Sequence, residues 1–119
     1  MTQITVSSMQ INNVSKIISI STAGIHKEFS WITTLMLKLL YKHVIRDHRL
    51  AAQIIMVSGL KYTLARPLSL TDGILTKEYR KMPFSVPKAG KNISRQDLAH
   101  FLLSVVKSRA PRNETVGLA

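Results

Sequence analysis

The sequence is constrained most by a short apolar run, Lys16 to Thr22 (KIISIST), that gives way to the small residues Ala23 and Gly24. A run this short, rich in β-branched isoleucine and ending in small side chains, suits a strand followed by a loop. Its isoleucines fall on both parities of the alternation, Ile17 against Ile18 and Ile20. Both faces of the strand therefore need cover, as in a parallel sheet with helices on either side.

The rest of the chain carries the periods that such layers need. Residues 28–58 read as helix in two pieces, with Leu35, Leu39 and Leu40, then Val44, Ala51, Ala52 and Ile55, at helical spacing. Ser58-Gly59 closes the stretch, Gly59 taking the left-handed cap. Lys61 to Arg66 (KYTLAR) reads as a second strand, stopped by Pro67, which cannot donate to a ladder. Residues 67–92 are loop-rich, punctuated by Thr71-Asp72-Gly73, Pro83, Pro87 and Gly90. So long a connection suits a functional or a mobile segment. Ser94 to Asp97 resembles a capping box with Asp in place of Glu. The helix it opens shows Leu98, Phe101, Leu102, Val105 and Val106 on one side and stops at Pro111. Glu114 to Leu118 reads as a terminal strand. Strand, helix, strand, long loop, helix, strand implies an α/β fold with a parallel sheet and right-handed crossovers.

Composition excludes several chemistries. The 119 residues suffice for one domain, and the hydrophobic fraction of 45% is globular. No cysteine is present, which removes disulfides, thiolate-bound zinc and thiol catalysis. The four histidines, His26, His43, His48 and His100, form no metal-binding spacing, so no metal site is expected. The start of the chain lacks the basic cluster of a signal peptide, and Trp31 to Ile45 is interrupted by Lys38, Lys42 and His43, so no bilayer span is expected. A cytoplasmic protein is the resulting expectation. The formal charge of +11 points to an anionic partner or to an acidic remainder that balances it.

Three segments in order carry a resemblance: KIISISTAG (16–24), SGLKYTLARPLSLTDG (58–73) and ISRQDLAHFLL (93–103). Together they resemble atypical short-chain dehydrogenases, of the NmrA-like NAD(P)-binding and biliverdin reductase B–flavin reductase types. The resemblance runs from about residue 14 to 118. It implies a single, incomplete NAD(P)-binding domain over 1–119: a partial Rossmann-like parallel sheet with flanking helices, lacking the amino-terminal glycine-rich half. That family opens on a strand and a glycine-rich turn that holds the pyrophosphate. The five glycines here (24, 59, 73, 90 and 117) are isolated from one another. Residues up to about Asn13 look like an unrelated start joined to the end of a helix.

The resemblance also implies a site. Ser21 and Thr22 would lie beside the nicotinamide, with Thr22 a candidate catalytic hydroxyl. Small hydroxyl residues also simply suit a strand end. His48 matches a cofactor-facing histidine of the biliverdin reductase B type and is the other catalytic candidate; an exposed helix histidine is the bland alternative. Arg66, Pro67, Leu68 and Ser69 form the loop whose backbone would meet the nicotinamide end, although Pro67 also merely ends a strand and Arg66 suits a partner such as Asp97. The implied cofactor is NADP or NAD, with a small-molecule substrate and little activity from this chain alone. The unpaired edge of the strand at 16–22 also invites a homodimer. The alternative is a basic interaction module: Lys38, Lys42, Arg46 and Arg49 share a helix face suited to anionic lipid or nucleic acid, or to plain solvation.

Overall fold

The computed structural model describes residues 1–21, 31–108 and 112–119, with side chains for 1–21, 43–108 and 112–119. The apolar run forms β1 (Lys16–Ile20), and KYTLARP forms β2 (Lys61–Pro67). Between them stands one helix, α2 (Trp31–Val57), not two pieces. The reason lies in the sequence: residues 31–57 contain neither proline nor glycine, so nothing breaks the hydrogen-bond ladder. Val57 is followed by Ser58 and by Gly59, whose φ of +78° reverses the chain into β2. The carboxyl-terminal helix is α3 (Arg95–Lys107), and the last strand is β6 (Glu114–Leu118). Where α3 ends, Ser108 is already extended; Pro111 lies outside the described residues.

The start of the chain is itself helical: α1 spans Thr2–Ile11. It is too short and too poor in caps to stand alone in water. Tertiary contact holds it instead. Val6 and Met9 join a core with Ala52, Ile55, Leu60 and Leu64, and Gln10 Nε2 donates to Ser58 O at 2.8 Å. The loop-rich stretch contains three short strands, β3 (Ser69–Thr71), β4 (Lys81–Pro83) and β5 (Asn92–Ser94).

The main sheet has the order β1-β2-β6-β4, with β1, β2 and β6 parallel and β4 antiparallel to β6. β3 and β5 form a separate parallel pair. Adjacent residues of β2 point to opposite faces. Leu64 packs with α1 and α2, whereas Ala65 packs with Leu98 and Phe101 of α3, so the sheet lies between two helical layers. Strand order advances in one direction through β1, β2 and β6 while the connecting helices lie on opposite faces. The two crossovers therefore cannot share the expected right hand. The second is no simple βαβ unit: β3, β4 and β5 intervene before α3.

Coverage of β1 is less complete than its isoleucines suggest. Ile17 reaches the α1/α2 core, but Ile20 is 50% exposed because β1 is the edge of the sheet. Val44, grouped by periodicity with Ala52 and Ile55, is exposed, and so is Val106 on α3. On the α1/α2 face of β6 the loop after β4 passes directly over Gly117. A Cβ there would lie 2.0 Å from Ser85 O and 2.7 Å from Val86 Cα, so only glycine admits the crossing. Among the described residues no helix is long and apolar enough to cross a membrane.

Candidate functional site

Open α/β sheets bind ligands outside the carboxyl ends of their parallel strands. Here that edge is built by the ends of β1, β2 and β6. Ser21 N donates to Ala65 O at 2.8 Å, which ties the end of β1 to β2. Leu68 N donates to Leu118 O at 3.0 Å, which ties the exit of β2 to the end of β6. The Ser21 hydroxyl is buried and has no hydrogen-bond partner among the described residues. A buried, unpaired hydroxyl costs about 1–3 kcal/mol, so its position at a strand end calls for a polar group to meet it. Thr22 lies outside the described residues.

Pro67 is buried at the end of β2, Leu68 is half-buried, and Ser69 is exposed where β3 begins. Ser69 N donates to Lys91 O at 3.4 Å, so the 67–69 loop is pinned against the β3–β5 pair. Arg66 differs from its neighbours. It is fully buried on the α1/α2 face, and its Nη2 donates to Ser85 O at 3.0 Å, beneath the loop that crosses Gly117. Burial pushes its guanidinium down to about 10, still charged at neutral pH.

His48 is half-buried on α2 and lines an open cavity of about 580 Å³ with Met1, Thr2, Gln3, Asp47 and Ala51. Its height can be read from the chain. His48 precedes Ser58 by about 15 Å of helix, and β2 then rises about 13 Å from Lys61 to Ala65. The imidazole thus stands near the level of the strand ends. Among the described residues it makes no contact that joins it to Ser21 or to the 67–69 loop.

The basic stripe falls partly outside the described side chains, at Lys38 and Lys42. Of the rest, Arg46 is exposed and Arg49 half-buried. No group of His, Asp and Glu among the described residues could hold a metal ion.

Sequence reasoning missed a polar knot beside this edge. Asp97, 4% exposed, accepts from Lys77 N at 2.7 Å, Thr76 N at 3.0 Å, Thr76 Oγ1 at 2.8 Å and Ser94 Oγ at 3.0 Å. Burial alone would raise its carboxyl pKa. The donors, Lys77 N first and then the Thr76 and Ser94 hydroxyls and Thr76 N, outweigh that and hold it below the ordinary range. Asp97 is thus the anchor of the 76–77 turn rather than an observed partner of Arg66. The Ser94-x-x-Asp97 spacing signalled a helix cap, and Asp97 N does donate to Ser94 Oγ at 3.0 Å. Nothing in the sequence signalled the reach to Thr76. Nearby, Tyr79 Oη lies 2.9 Å from His100 Nδ1. Burial, and then the charge of Asp97, raise the tyrosine pKa.

A family model described as NAD(P)H-binding matches residues 1–109. The match begins at the first residue, so α1 belongs to the matched region and is not an unrelated start. No curated protein matches the chain. Among solved structures, a wide-type short-chain dehydrogenase/reductase from Veillonella parvula, crystallised with NADP, superposes with a TM-score of 0.86 at 18% identity. The alignment covers 99% of this chain and 56% of that one. An anaerobillin reductase from Escherichia coli O157:H7 gives 0.80 at 18% identity, covering 98% and 55%. A Rossmann-fold NAD(P)-binding family protein from Shigella flexneri gives 0.72 at 25% identity, covering 99% and 52%. The chain thus spans little more than half the length of these structures.

Proposed function

The chain belongs to the NAD(P)H-binding family, and from that premise we propose that it forms the nicotinamide-side wall of a reductase-type site for NADP or NAD. The observation that carries this reading is the Ser21 hydroxyl, buried at the carboxyl end of β1 with no partner among the described residues. It fits the polar carboxamide of a nicotinamide. The phosphate end fits less well, because no two of the five glycines are close enough to form a glycine-rich turn.

When bound, the dinucleotide supplies the hydride. The protein's part is to bind and orient. Ser21 and Thr22 offer hydroxyls to the ring's polar substituent. Pro67, Leu68 and Ser69 offer backbone and apolar surface beside it. Arg66 acts from beneath, holding Ser85 and so the shape of the edge. His48 offers a ring nitrogen to the oxygen or nitrogen of a small reducible substrate. With one wall present, we expect little turnover from this chain alone.

Titrating the purified chain with NADPH, followed by nucleotide fluorescence, tests the reading. We expect saturable binding weaker than micromolar, further weakened roughly fivefold by Ser21→Ala, the loss of one hydrogen bond. Micromolar binding would show that the scattered glycines do not limit affinity. Binding indifferent to Ser21→Ala would remove that hydroxyl from the site.

A further inference from the structure

Asp72 and Gly73 join β3 to the turn that Asp97 anchors. Of the three aspartates and four asparagines in the sequence, Asp72 alone precedes a glycine. Neither conformation nor packing asks for that glycine. Its φ lies outside the left-handed region, and a Cβ placed on it would meet Ser94 Cβ at 3.5 Å and Thr71 Oγ1 at 3.6 Å, both ordinary contacts. Among the described residues its backbone N–H donates to no acceptor.

The Asp72 side chain is 91% exposed. Its partner among the described residues is Arg95 Nη1, on a side chain that is itself 58% exposed. A pair so open to solvent holds its carboxylate only weakly. The Asp72 carboxyl carbon can therefore turn toward its own main chain, where the nearest nucleophile is Gly73 N. Proximity drives such an intramolecular attack. A side chain on the attacking residue crowds it, and a hydrogen bond to the attacking N–H holds the nitrogen back. Gly73 has neither. The other aspartates lie in helices, Asp47 in α2 and Asp97 in the first turn of α3, and larger residues follow them.

We propose that Asp72–Gly73 is a modification site, at which the aspartate converts spontaneously to isoaspartate through a cyclic imide. Gly73 N bonds to Asp72 Cγ as the Cγ–OH bond breaks, and the hydroxyl leaves as water with the Gly73 amide proton. Water then adds to the Asp72 main-chain carbonyl carbon. The bond from that carbon to Gly73 N breaks, the nitrogen regains a proton, and the carbon becomes a free carboxyl. Nothing is oxidised or reduced, and the water lost in the first step is regained in the second. The main chain now runs through Asp72 Cβ and Cγ and is longer by a carbon.

That carbon falls between two fixed ends. Before it, Leu70 and Thr71 pair with Ile93 and Ser94 of β5. After it, Ile74 O accepts from Ser94 Oγ at 3.3 Å, and Thr76 N and Lys77 N donate to Asp97 Oδ1 at 3.0 and 2.7 Å. The added length therefore loosens either the β3–β5 pair or the Asp97 anchor.

Ageing the purified chain in warm, mildly acidic buffer, folded or in urea, tests the proposal. Trypsin releases residues 62–77 as one peptide, because Pro67 protects the bond after Arg66, and Asp72 is its only acidic residue. An endoproteinase that cuts before aspartate but not before isoaspartate then reads the conversion as an uncut fraction. We expect the folded wild type to convert within about tenfold of the rate in urea, and Gly73→Ala to convert at least about tenfold more slowly than wild type. Aged wild type should lose Tm, and Gly73→Ala aged beside it should not. A folded chain that converts more than about tenfold slower than the unfolded one would overturn the proposal. So would conversion indifferent to Gly73→Ala, or a Tm that ages alike in both chains.

Discussion

Asp97 shows how one side chain sets both a local shape and a pH response. Its carboxylate holds the 76–77 turn against the start of α3 through three hydrogen bonds and accepts a fourth from Ser94 Oγ. Its folded pKa lies below the unfolded value of about 3.9. A lowered carboxyl pKa stabilises the fold above the unfolded pKa, and that contribution fades as pH falls through the folded one. Thermal melts of the wild type should therefore lose Tm from about pH 4 downward. Asp97→Asn should lower Tm at neutral pH and flatten that acid limb. An unchanged limb would assign the acid sensitivity to other carboxylates. Gly117 makes the complementary case, in which the absence of a side chain matters. Gly117→Ala would drive a Cβ into the Ser85 carbonyl, 2.0 Å away, and release the carbonyl that Arg66 holds. Overpacking against backbone costs about 1–3 kcal/mol or more, so urea denaturation should show a large loss of stability.

Among the elements, the start of α3 and the close of α2 are the most legible in the sequence and α1 the least. Ser94 caps α3 as its sequence context announces, accepting from Asp97 N at 3.0 Å and donating to Asp97 Oδ2 at 3.0 Å. Ser94→Ala should cost about 1–2 kcal/mol, above a simple cap because Asp97 loses a donor as well. Gly59 marks the opposite kind of end. Nothing lies within 4 Å of a Cβ placed there, so only its φ of +78° opposes a side chain. Gly59→Ala should therefore cost about 1 kcal/mol, far less than Gly117→Ala, and the ranking of the two in one denaturation series separates backbone conformation from packing. α1 has no comparable signal. Its Met1 cap makes no side-chain bond, and Val6 and Met9, in the core with Ala52 and Ile55, and Gln10, donating to Ser58 O, tie it to α2 and its end.

For the molecule as a whole, charge and fold speak to different partners. A charge of +11 on 119 residues predicts retention on heparin that vanishes as salt rises. Charge reversal at exposed Arg46 should weaken it if the α2 stripe carries the binding. Retention indifferent to salt would set the interaction-module reading aside. The fold places Ser21 and residues 67–69 along the strand ends and leaves β1 at the margin of its sheet. Since the superposed relatives are nearly twice as long, cofactor affinity of the isolated chain and its state of association are separate measurements.

The sequence by itself determined the elements that local physics decides. Short runs bounded by turn residues became β1, β2 and β6, Ser94 became a cap, and Gly59 a left-handed reversal, because short-range sterics and hydrogen bonding are encoded within a few residues. It also brought the family into view through three segments in order. Only the tertiary structure decided what depends on residues far apart. It made α1 a helix, gave the two crossovers opposite hands, and sent Arg66 beneath the loop at Ser85 and Asp97 to Thr76. It left Ser21's hydroxyl buried without a described partner and β1 at the sheet's edge. These outcomes rest on which surfaces meet, and no window of sequence contains both sides of such a contact.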